Sequence, residues 1–236
     1  LELLVRSYDV VGDLAIIIIP DELVSREKLI GEAILSINKN VQVVLKRAGH
    51  YEGEFRQIPL QVIAGEDRKE TICRENGVRL SINPEKVYYS VRSGSERKRI
   101  ASLVKDGESV LVMFSGVGPF PLVIARNSKA RRVVGVEKNP DAHSFAMQNL
   151  KFNRKIRNVE FYCGDAENIV PKLNSLFDRI LMPLPKSSEQ FLPYALAVLR
   201  EGAWLHYYTI LDKSEFKEAI ITVEEACERA GRTLEE

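Results

Sequence analysis

The sequence SVLVMFSGVGPFPLVIAR, residues 109–126, is the strongest indication of fold class in this chain. An apolar run typical of a buried strand leads into a turn that contains Gly116 and Gly118, and an apolar helical segment follows from Pro119. Glycines in such a turn let the backbone approach a ligand that a Cβ atom would exclude. A strand, a glycine turn and a helix in this order indicate an α/β protein with its ligand at the carboxyl edge of the sheet.

Strands and helices alternate around this stretch from about residue 95 onward. The predicted strands cover residues 109–114, 132–137, 158–163, 177–182 and 203–209. The predicted helices cover residues 96–105, 119–126, 140–153, 189–199 and 213–230. The pattern predicts a Rossmann-like domain over residues 95–236. The last residues look like the start of another strand, so we expect that a final hairpin is missing from the sequence.

Residues 1–94 have a different pattern of predicted strands and helices, which indicates a small α+β domain. A strand at residues 10–19, a helix at residues 25–37 and a strand at residues 41–45 come first. Short alternating segments follow, and Asn76-Gly77 between two of them predicts a tight hairpin. A further short strand is predicted at residues 86–89.

The composition is that of a folded globular protein with almost no charge bias: 236 residues, 45% hydrophobic, 28% charged and a net charge of +1. Any nucleic-acid contact must therefore come from a local basic surface. The apolar run at residues 14–20 is too short to cross a bilayer, and no secretory signal is recognisable. We expect a cytoplasmic monomer without membrane association. Cys73, Cys163, Cys227 and the three histidines lie far apart, so we expect no metal site.

Three consecutive strand ends carry residues suited to a nucleoside. Phe114, Gly116 and Gly118 form the first turn, and Glu137 ends the second strand about twenty residues later, where a carboxylate can accept both ribose hydroxyls. Asp165 and Ala166 close the third strand, where an acceptor could meet an adenine amino group.

Each of these features also has a plain structural explanation. The glycines could only shape a turn, Glu137 could be a surface acid, and Asp165 could cap the helix that follows it. Their order on consecutive strand ends favours a binding site. The third glycine of a dinucleotide fingerprint is replaced by Phe120-Pro121, which disfavours a pyrophosphate ligand. S-adenosylmethionine therefore fits better than NAD.

Several short motifs add to this pattern: VYYS (87–90), Arg92, Glu96-Arg97, MFSGVGPF (113–120), EKNP (137–140) and HYY (206–208). Together they resemble the archaeal and eukaryotic tRNA guanine-N1 methyltransferases and their relatives, the wybutosine-synthesis aminocarboxypropyltransferases. The likeness extends from about Gly53 to the end of the chain. It implies a class I methyltransferase fold, a tRNA substrate and a preceding small domain that helps to hold the tRNA near its anticodon loop.

The resemblance also implies roles for individual residues. It puts Ser90 and Arg97 near the methionine end of the cofactor, Glu137 on the ribose, and Asp165 with Ala166 at the adenine. Near the target nucleotide it puts Arg56, Tyr88, Arg92 and Glu96, the last two as candidate catalytic residues that orient the base. An arginine can pair with a carboxylate or a phosphate, and a tyrosine can stack on a base.

One motif departs from the methyltransferases. They carry Asn-Leu-Pro or a similar triplet after the fourth strand, whereas this chain has Pro183 in the substrate-contacting position of the asparagine. Proline has neither a side-chain acceptor nor a backbone N–H. A carbon nucleophile on an electron-rich ring needs less help from an amide. The resemblance to the aminocarboxypropyltransferases then implies transfer of the 3-amino-3-carboxypropyl group to C7 of 4-demethylwyosine at position 37 of tRNA(Phe), with release of methylthioadenosine, and this is the expected reaction.

Two alternatives remain open. Methyl transfer to guanine N1 at the same position is supported by Arg92 and Glu96, which the methyltransferases also have. A non-catalytic RNA-binding module would keep only the fold. Such a module would bind tRNA regardless of the cofactor, whereas Glu137 and Asp165 indicate that the nucleoside site is used.

Overall fold

The structure is a computed structural model that describes residues 7–50, 53–55, 57–212 and 216–235. The strands are β1 (Asp9–Val11), β2 (Leu14–Ile17), β3 (Val43–Arg47), β4 (Leu60–Gly65), β5 (Thr71–Glu75), β6 (Val78–Ile82), β7 (Ser109–Met113), β8 (Arg132–Glu137), β9 (Val159–Cys163), β10 (Phe177–Met182) and β11 (Leu199–Tyr207). The helices are α1 (Glu27–Ile37), α2 (Gly94–Leu103), α3 (Pro119–Asn127), α4 (Pro140–Phe152), α5 (Ala166–Ile169), α6 (Leu192–Val198) and α7 (Phe216–Arg229).

The second part of the chain folds around a five-stranded sheet in the order β11-β10-β7-β8-β9. Each neighbouring pair is parallel. All five residues of β7 are buried, which explains the continuous apolar run in the sequence, because both faces of such a sheet are covered. Val110 and Val112 pack on one face with α2, α3 and α4, and Leu111 and Met113 pack on the other with α6 and α7. The predicted α/β fold is confirmed.

The first part forms a four-stranded sheet in the order β1-β2-β3-β4. Strands β2 and β3 are parallel, and α1 connects them and packs on β3 and β4. The single strand predicted for residues 10–19 is wrong, because the chain turns at Gly12 and β1 pairs antiparallel with β2. Gly12 has φ +59°, and a Cβ atom there would lie 2.2 Å from Thr71 Oγ1. The small α+β unit itself is present.

The hairpin predicted from Asn76-Gly77 is present as β5 and β6. Both turn residues have positive φ, +46° and +82°, as the tight hairpin turn requires. The hairpin packs against α4, where the buried Asn149 side chain accepts from Ser81 N–H at 2.6 Å and donates to the Ser81 carbonyl. Because β6 shares its core with the parallel sheet, we propose that the second domain begins near β5, upstream of the expected boundary at 94/95.

Three smaller predictions differ from the structure. Residues 86–89 form no strand, and they join the hairpin to α2 through turns and extended backbone. The helix predicted from residue 189 begins with a 3-10 turn, and α6 itself covers only Leu192–Val198. After α7, the described residues up to 235 form no strand. Within the described part of the chain, no helix is long and apolar enough to span a membrane.

Candidate cofactor and substrate site

A cavity of about 470 Å³ lies at the carboxyl edge of the parallel sheet. Its walls come from the segments that follow β9, β8, β7 and β10, which are neighbours in that order. It brings together most residues expected to contact the cofactor or substrate: Tyr88, Phe114, Gly116, Glu137, Asp165, Ala166 and Pro183. The position agrees with the rule that ligands of such sheets bind outside the carboxyl ends of the strands.

The glycine turn after β7 is held in a conformation that few side chains tolerate. Gly116 and Gly118 have φ +56° and +86°, and Phe114 has φ +60° without being a glycine. A Cβ atom on Gly118 would lie 2.6 Å from the ring of Phe161, so close packing requires glycine there. Phe114 packs edge-on against Phe191 at 4.8 Å between ring centroids. Strained backbone of this kind occurs most often at ligand sites.

Glu137 connects the glycine turn to the start of α4. Its Oε2 accepts from Gly116 N–H at 2.6 Å, and its Oε1 accepts from Asn139 N–H at 2.8 Å. Asn139 caps α4, accepting from Asp141 N–H at 2.9 Å, and Pro140 occupies the first turn. Burial raises the pKa of the Glu137 carboxyl, and the backbone donors oppose this shift. Each oxygen keeps a lone pair that a ribose hydroxyl could use.

Asp165 acts as a helix cap and also faces the cavity. Its Oδ1 accepts from Glu167 N–H at 3.2 Å at the start of α5, and its Oδ2 pairs with Lys138 Nζ at 2.7 Å. Lys138 also pairs with Glu54 Oε1 at 2.5 Å, so one ammonium group links Glu54 of the first part of the chain to Asp165 after β9. These two carboxylates raise the pKa of Lys138. The structural and functional explanations of Asp165 are therefore compatible.

The opposite wall follows β10 and is fixed by backbone contacts. Ile210 N–H donates to the Pro185 carbonyl at 3.3 Å, and Ser188 Oγ donates to the Tyr208 carbonyl at 3.2 Å. Ser187 lies between them with φ +58°. Pro183 lines the cavity at the start of this segment. The segment is thus held beside the end of β11.

Glu96 is joined to Tyr208, just after β11, and is not among the residues that line the cavity. Its Oε1 accepts from the Tyr208 hydroxyl at 2.6 Å. The Arg99 guanidinium donates to both Glu96 oxygens at 2.7 and 2.8 Å. The hydrogen bond from Arg99, more than the one from Tyr208, lowers the pKa of the Glu96 carboxyl. The Glu96 carboxyl is therefore ionised at neutral pH, and both of its oxygens accept hydrogen bonds.

Arg97 is not among the residues that line the cavity, and its expected place near the methionine end of the cofactor stays a prediction. Its side chain is buried, and the guanidinium forms two hydrogen bonds to Glu75, one of them 2.6 Å from Nε to Oε1. It also donates to the Ser90 carbonyl at 2.9 Å and lies over the Tyr89 ring. The ion pair keeps the buried charge neutralised. In this structure Arg97 and Glu75 position the segment around Ser90, which itself does not line the cofactor cavity.

Arg92 lies on the other side of the Tyr88–Ser90 segment. It is 80% exposed and pairs with Asp9 at 2.8 Å. Arg56 lies outside the described residues. The sequence analysis missed Lys138, Phe191 and the pairing of Arg97 with Glu75. Only the EKNP motif could have pointed to Lys138, since an ion pair between distant segments leaves no local pattern.

The cavity fits an adenosyl group. A buried carboxylate that receives two backbone N–H groups suits a ribose, and the acceptor and small side chain at Asp165-Ala166 suit an adenine edge. The cavity volume falls within the roughly 300–1,000 Å³ that is common for small-ligand sites.

Comparison with known proteins agrees with this site. A model of the TRM5/TYW2 methyltransferase domain matches residues 71–235, and a model of the TYW2 N-terminal domain matches residues 1–68. The tRNA (guanine(37)-N(1))-methyltransferase Trm5b of Pyrococcus abyssi is 43% identical over 202 residues, which cover 86% of this chain but only 59% of that protein. The tRNA(Phe) (4-demethylwyosine(37)-C(7)) aminocarboxypropyltransferase of Pyrococcus horikoshii is 29% identical over 235 residues, 99% of this chain and 82% of that protein.

Solved structures give the same result. The complex of aTrm5 with tRNALeu has a TM-score of 0.84 at 36% identity and covers 96% of this chain and 65% of that one. P. horikoshii TYW2 in complex with MeSAdo has a TM-score of 0.81 at 26% identity and covers 98% of this chain and 82% of that one. Since the first family model matches more than half of its residues, the chain belongs to the TRM5/TYW2 methyltransferase-domain family and has its Rossmann-like α/β fold.

Proposed function

We propose that this chain is the catalytic part of an S-adenosylmethionine-dependent enzyme that modifies nucleotide 37 of tRNA by methylating N1 of guanine. The 43% identity to a guanine-37 N1-methyltransferase supports the methyl group, although this chain spans 59% of that relative. This reverses the order of the two reactions expected from the sequence. The preference for methyl transfer rests on this identity and on the ionised Glu96 carboxyl, and not on the proline at position 183.

The cavity residues divide into two groups. Glu137 and Asp165, at the ends of β8 and β9, would hold the ribose and the adenine of the cofactor. When bound, S-adenosylmethionine supplies a methyl group already activated on a sulfonium, so no covalent enzyme intermediate is needed. The protein's contribution is then positioning and electrostatic stabilisation on the β10 side.

Glu96 carries the proposal for guanine. Attack through N1 requires removal of the N1 proton, and a positioned carboxylate can accept it. Arg99 and Tyr208 keep Glu96 ionised, and the Tyr208 carbonyl accepts from Ser188 in the segment that follows Pro183. An ionised acceptor at this position compensates for the amide that Pro183 does not provide.

The corresponding test is Glu96→Gln. The amide keeps the size of the side chain but cannot accept a proton, so we expect kcat to fall about 10²- to 10⁴-fold, the usual contribution of general-base catalysis. Affinity for S-adenosylhomocysteine should stay within about twofold of the wild type, because Glu96 does not line the cofactor cavity. Glu224→Gln on the exposed face of α7 is the matched control. An unchanged kcat for Glu96→Gln would rule out its role as the base.

Aminocarboxypropyl transfer to 4-demethylwyosine remains the second candidate. It is supported by Pro183 in the cavity wall, by the TYW2 N-terminal match over residues 1–68 and by a relative of that activity that aligns with 99% of this chain. On this hypothesis Glu96 would orient the base, and a carbon of the ring would attack.

Label transfer distinguishes the two reactions. The chain is incubated with unmodified tRNA or with tRNA that carries 4-demethylwyosine, using S-adenosylmethionine labelled on either the methyl or the carboxyl carbon. We expect methyl label in unmodified tRNA, with release of S-adenosylhomocysteine. Carboxyl label in the modified tRNA, with release of methylthioadenosine, would establish the second candidate instead. Binding of tRNA without any transfer, and without an effect of cofactor, would favour the non-catalytic module.

A further inference from the structure

A second cavity, of about 530 Å³, lies between the small sheet and the segment that precedes α2. Strands β1, β2 and β3 supply one side, and residues 84–92 supply the other. Tyr88 lines both this cavity and the cofactor cavity, so the two are separated by the Tyr88 segment. A chain passing from one cavity to the other would cross this residue.

Part of the lining of the second cavity is apolar and aromatic. It includes Ile16, Ile18, Ile58, Val87 and Tyr88. Ile18 is 63% exposed and Tyr88 is 48% exposed, although both are large side chains that proteins usually bury. An exposed apolar surface with a polar rim is typical of a ligand site. Unpaired bases bind such surfaces by stacking and by apolar contact.

The rim carries charges that suit a nucleotide. Arg92 directs Nε and one terminal nitrogen at Asp9 Oδ1, at 3.2 and 2.8 Å, and Arg47 lies 3.7 Å from Asp9 Oδ2. Since a guanidinium has five donors, the Asp9 contacts leave Arg92 with donors for a phosphate. Asp9 thus holds the two arginines together at the opening. Its remaining acceptor capacity can meet the amino or imino groups of a base edge.

We propose that this cavity binds the unpaired nucleotide next to the target nucleotide, with its base against Ile18 and Tyr88 and its phosphate at Arg47 and Arg92. The inference rests on the proposed function, since Tyr88 lines both this cavity and the one that would hold the target nucleotide. A base held here would pull the target base out of the stack of the loop. The small domain then has a direct part in recognition.

The assignment is tested by measuring the binding of each protein variant to each of three RNAs, with the whole 236-residue chain. The probe is a fluorescent anticodon stem-loop, used intact and with an abasic site on either side of nucleotide 37. Ile18→Ala removes apolar contact at an exposed position, and Leu29→Ala on α1, 66% exposed and outside the cavity, is the matched control. Fluorescence anisotropy gives each dissociation constant.

We expect Ile18→Ala to weaken binding of the intact loop about fivefold, less than the full effect of a stacked aromatic residue. With one of the two abasic loops, wild type and Ile18→Ala should bind equally within experimental error, because the contacting base is gone. An equal loss with all three RNAs, or no loss with the intact loop, would overturn the cavity assignment. The label-transfer experiment is independent of this one. If label is transferred to tRNA but the effect of Ile18→Ala does not depend on the abasic site, only the cavity assignment is rejected. Absence of both RNA binding and transfer would reject the proposed function together with it.

Discussion

Replacing Glu137 with glutamine tests the cofactor site most directly. Each carboxylate oxygen now accepts one backbone N–H, from Gly116 at 2.6 Å and from Asn139 at 2.8 Å. Glutamine keeps one acceptor oxygen and presents an NH₂ group where the second was. One ribose hydroxyl then loses a charged acceptor, and hydrogen bonds to charged groups contribute about 1.5–3 kcal/mol. We therefore expect affinity for S-adenosylhomocysteine to fall roughly 10- to 150-fold.

The pH dependence of binding provides a second check on the same carboxyl group. Burial raises the pKa of Glu137 above its ordinary value, so its protonated form favours the folded protein at low pH, and that contribution is lost as pH rises through the raised pKa. Cofactor binding needs the ionised form as acceptor. Affinity of the wild type should therefore decrease as pH is lowered through this pKa, while affinity of Glu137→Gln should stay constant over the same interval.

Isothermal titration calorimetry with S-adenosylhomocysteine measures both effects without turnover. Glu224→Gln, which removes one exposed charge on α7, controls for the change in net charge. The ligand-free variant should lose about 1–3 kcal/mol of stability in thermal unfolding, since the glutamine NH₂ leaves one of the two backbone N–H donors without an acceptor. A dissociation constant within twofold of the wild type, in a folded Glu137→Gln variant, would refute the ribose assignment.

Two further predictions concern stability, measured by urea unfolding. Gly118→Ala should cost at least about 2 kcal/mol, because alanine at φ +86° is strained and its Cβ would lie 2.6 Å from Phe161; a loss below about 0.5 kcal/mol would show that the turn adapts. Arg179→Met leaves the buried Glu108 carboxylate without its 2.8 Å partner and should cost about 3–5 kcal/mol. Arg229→Met, in an exposed helical pair, should change stability by less than about 0.5 kcal/mol, and equal losses for the two arginine variants would contradict this account.

The second domain could be predicted from the sequence because its signals are local. The five residues of β7 are buried on both faces, and the turn that follows must contain glycine. Burial and turn geometry therefore determine both the apolar-then-glycine sequence pattern and the fold. The small domain was predicted less well, because Val11 and Leu14 belong to different strands although only two residues separate them. Gly12 and Asp13 marked the break, and the need of Gly12 for a positive φ is visible once Thr71 packs against the turn.

Arg97 shows why site residues were harder to predict than the fold. Its position in a motif could not reveal that Glu75, on the preceding hairpin, would take up its charge. Glu96, one residue earlier, points instead toward Tyr208 and remains ionised. Neighbours in a helix face different directions, so one residue can hold the structure while the next serves the reaction.

Pro183 alone does not determine which group is transferred. A missing amide removes one hydrogen bond to the base, but several groups around a base together orient and activate it. Tyr208 and Arg99 hold the Glu96 carboxylate in its ionised form. Selection between the methyl and the aminocarboxypropyl carbon must therefore depend on how the methionine chain lies relative to the cavity wall that contains Pro183.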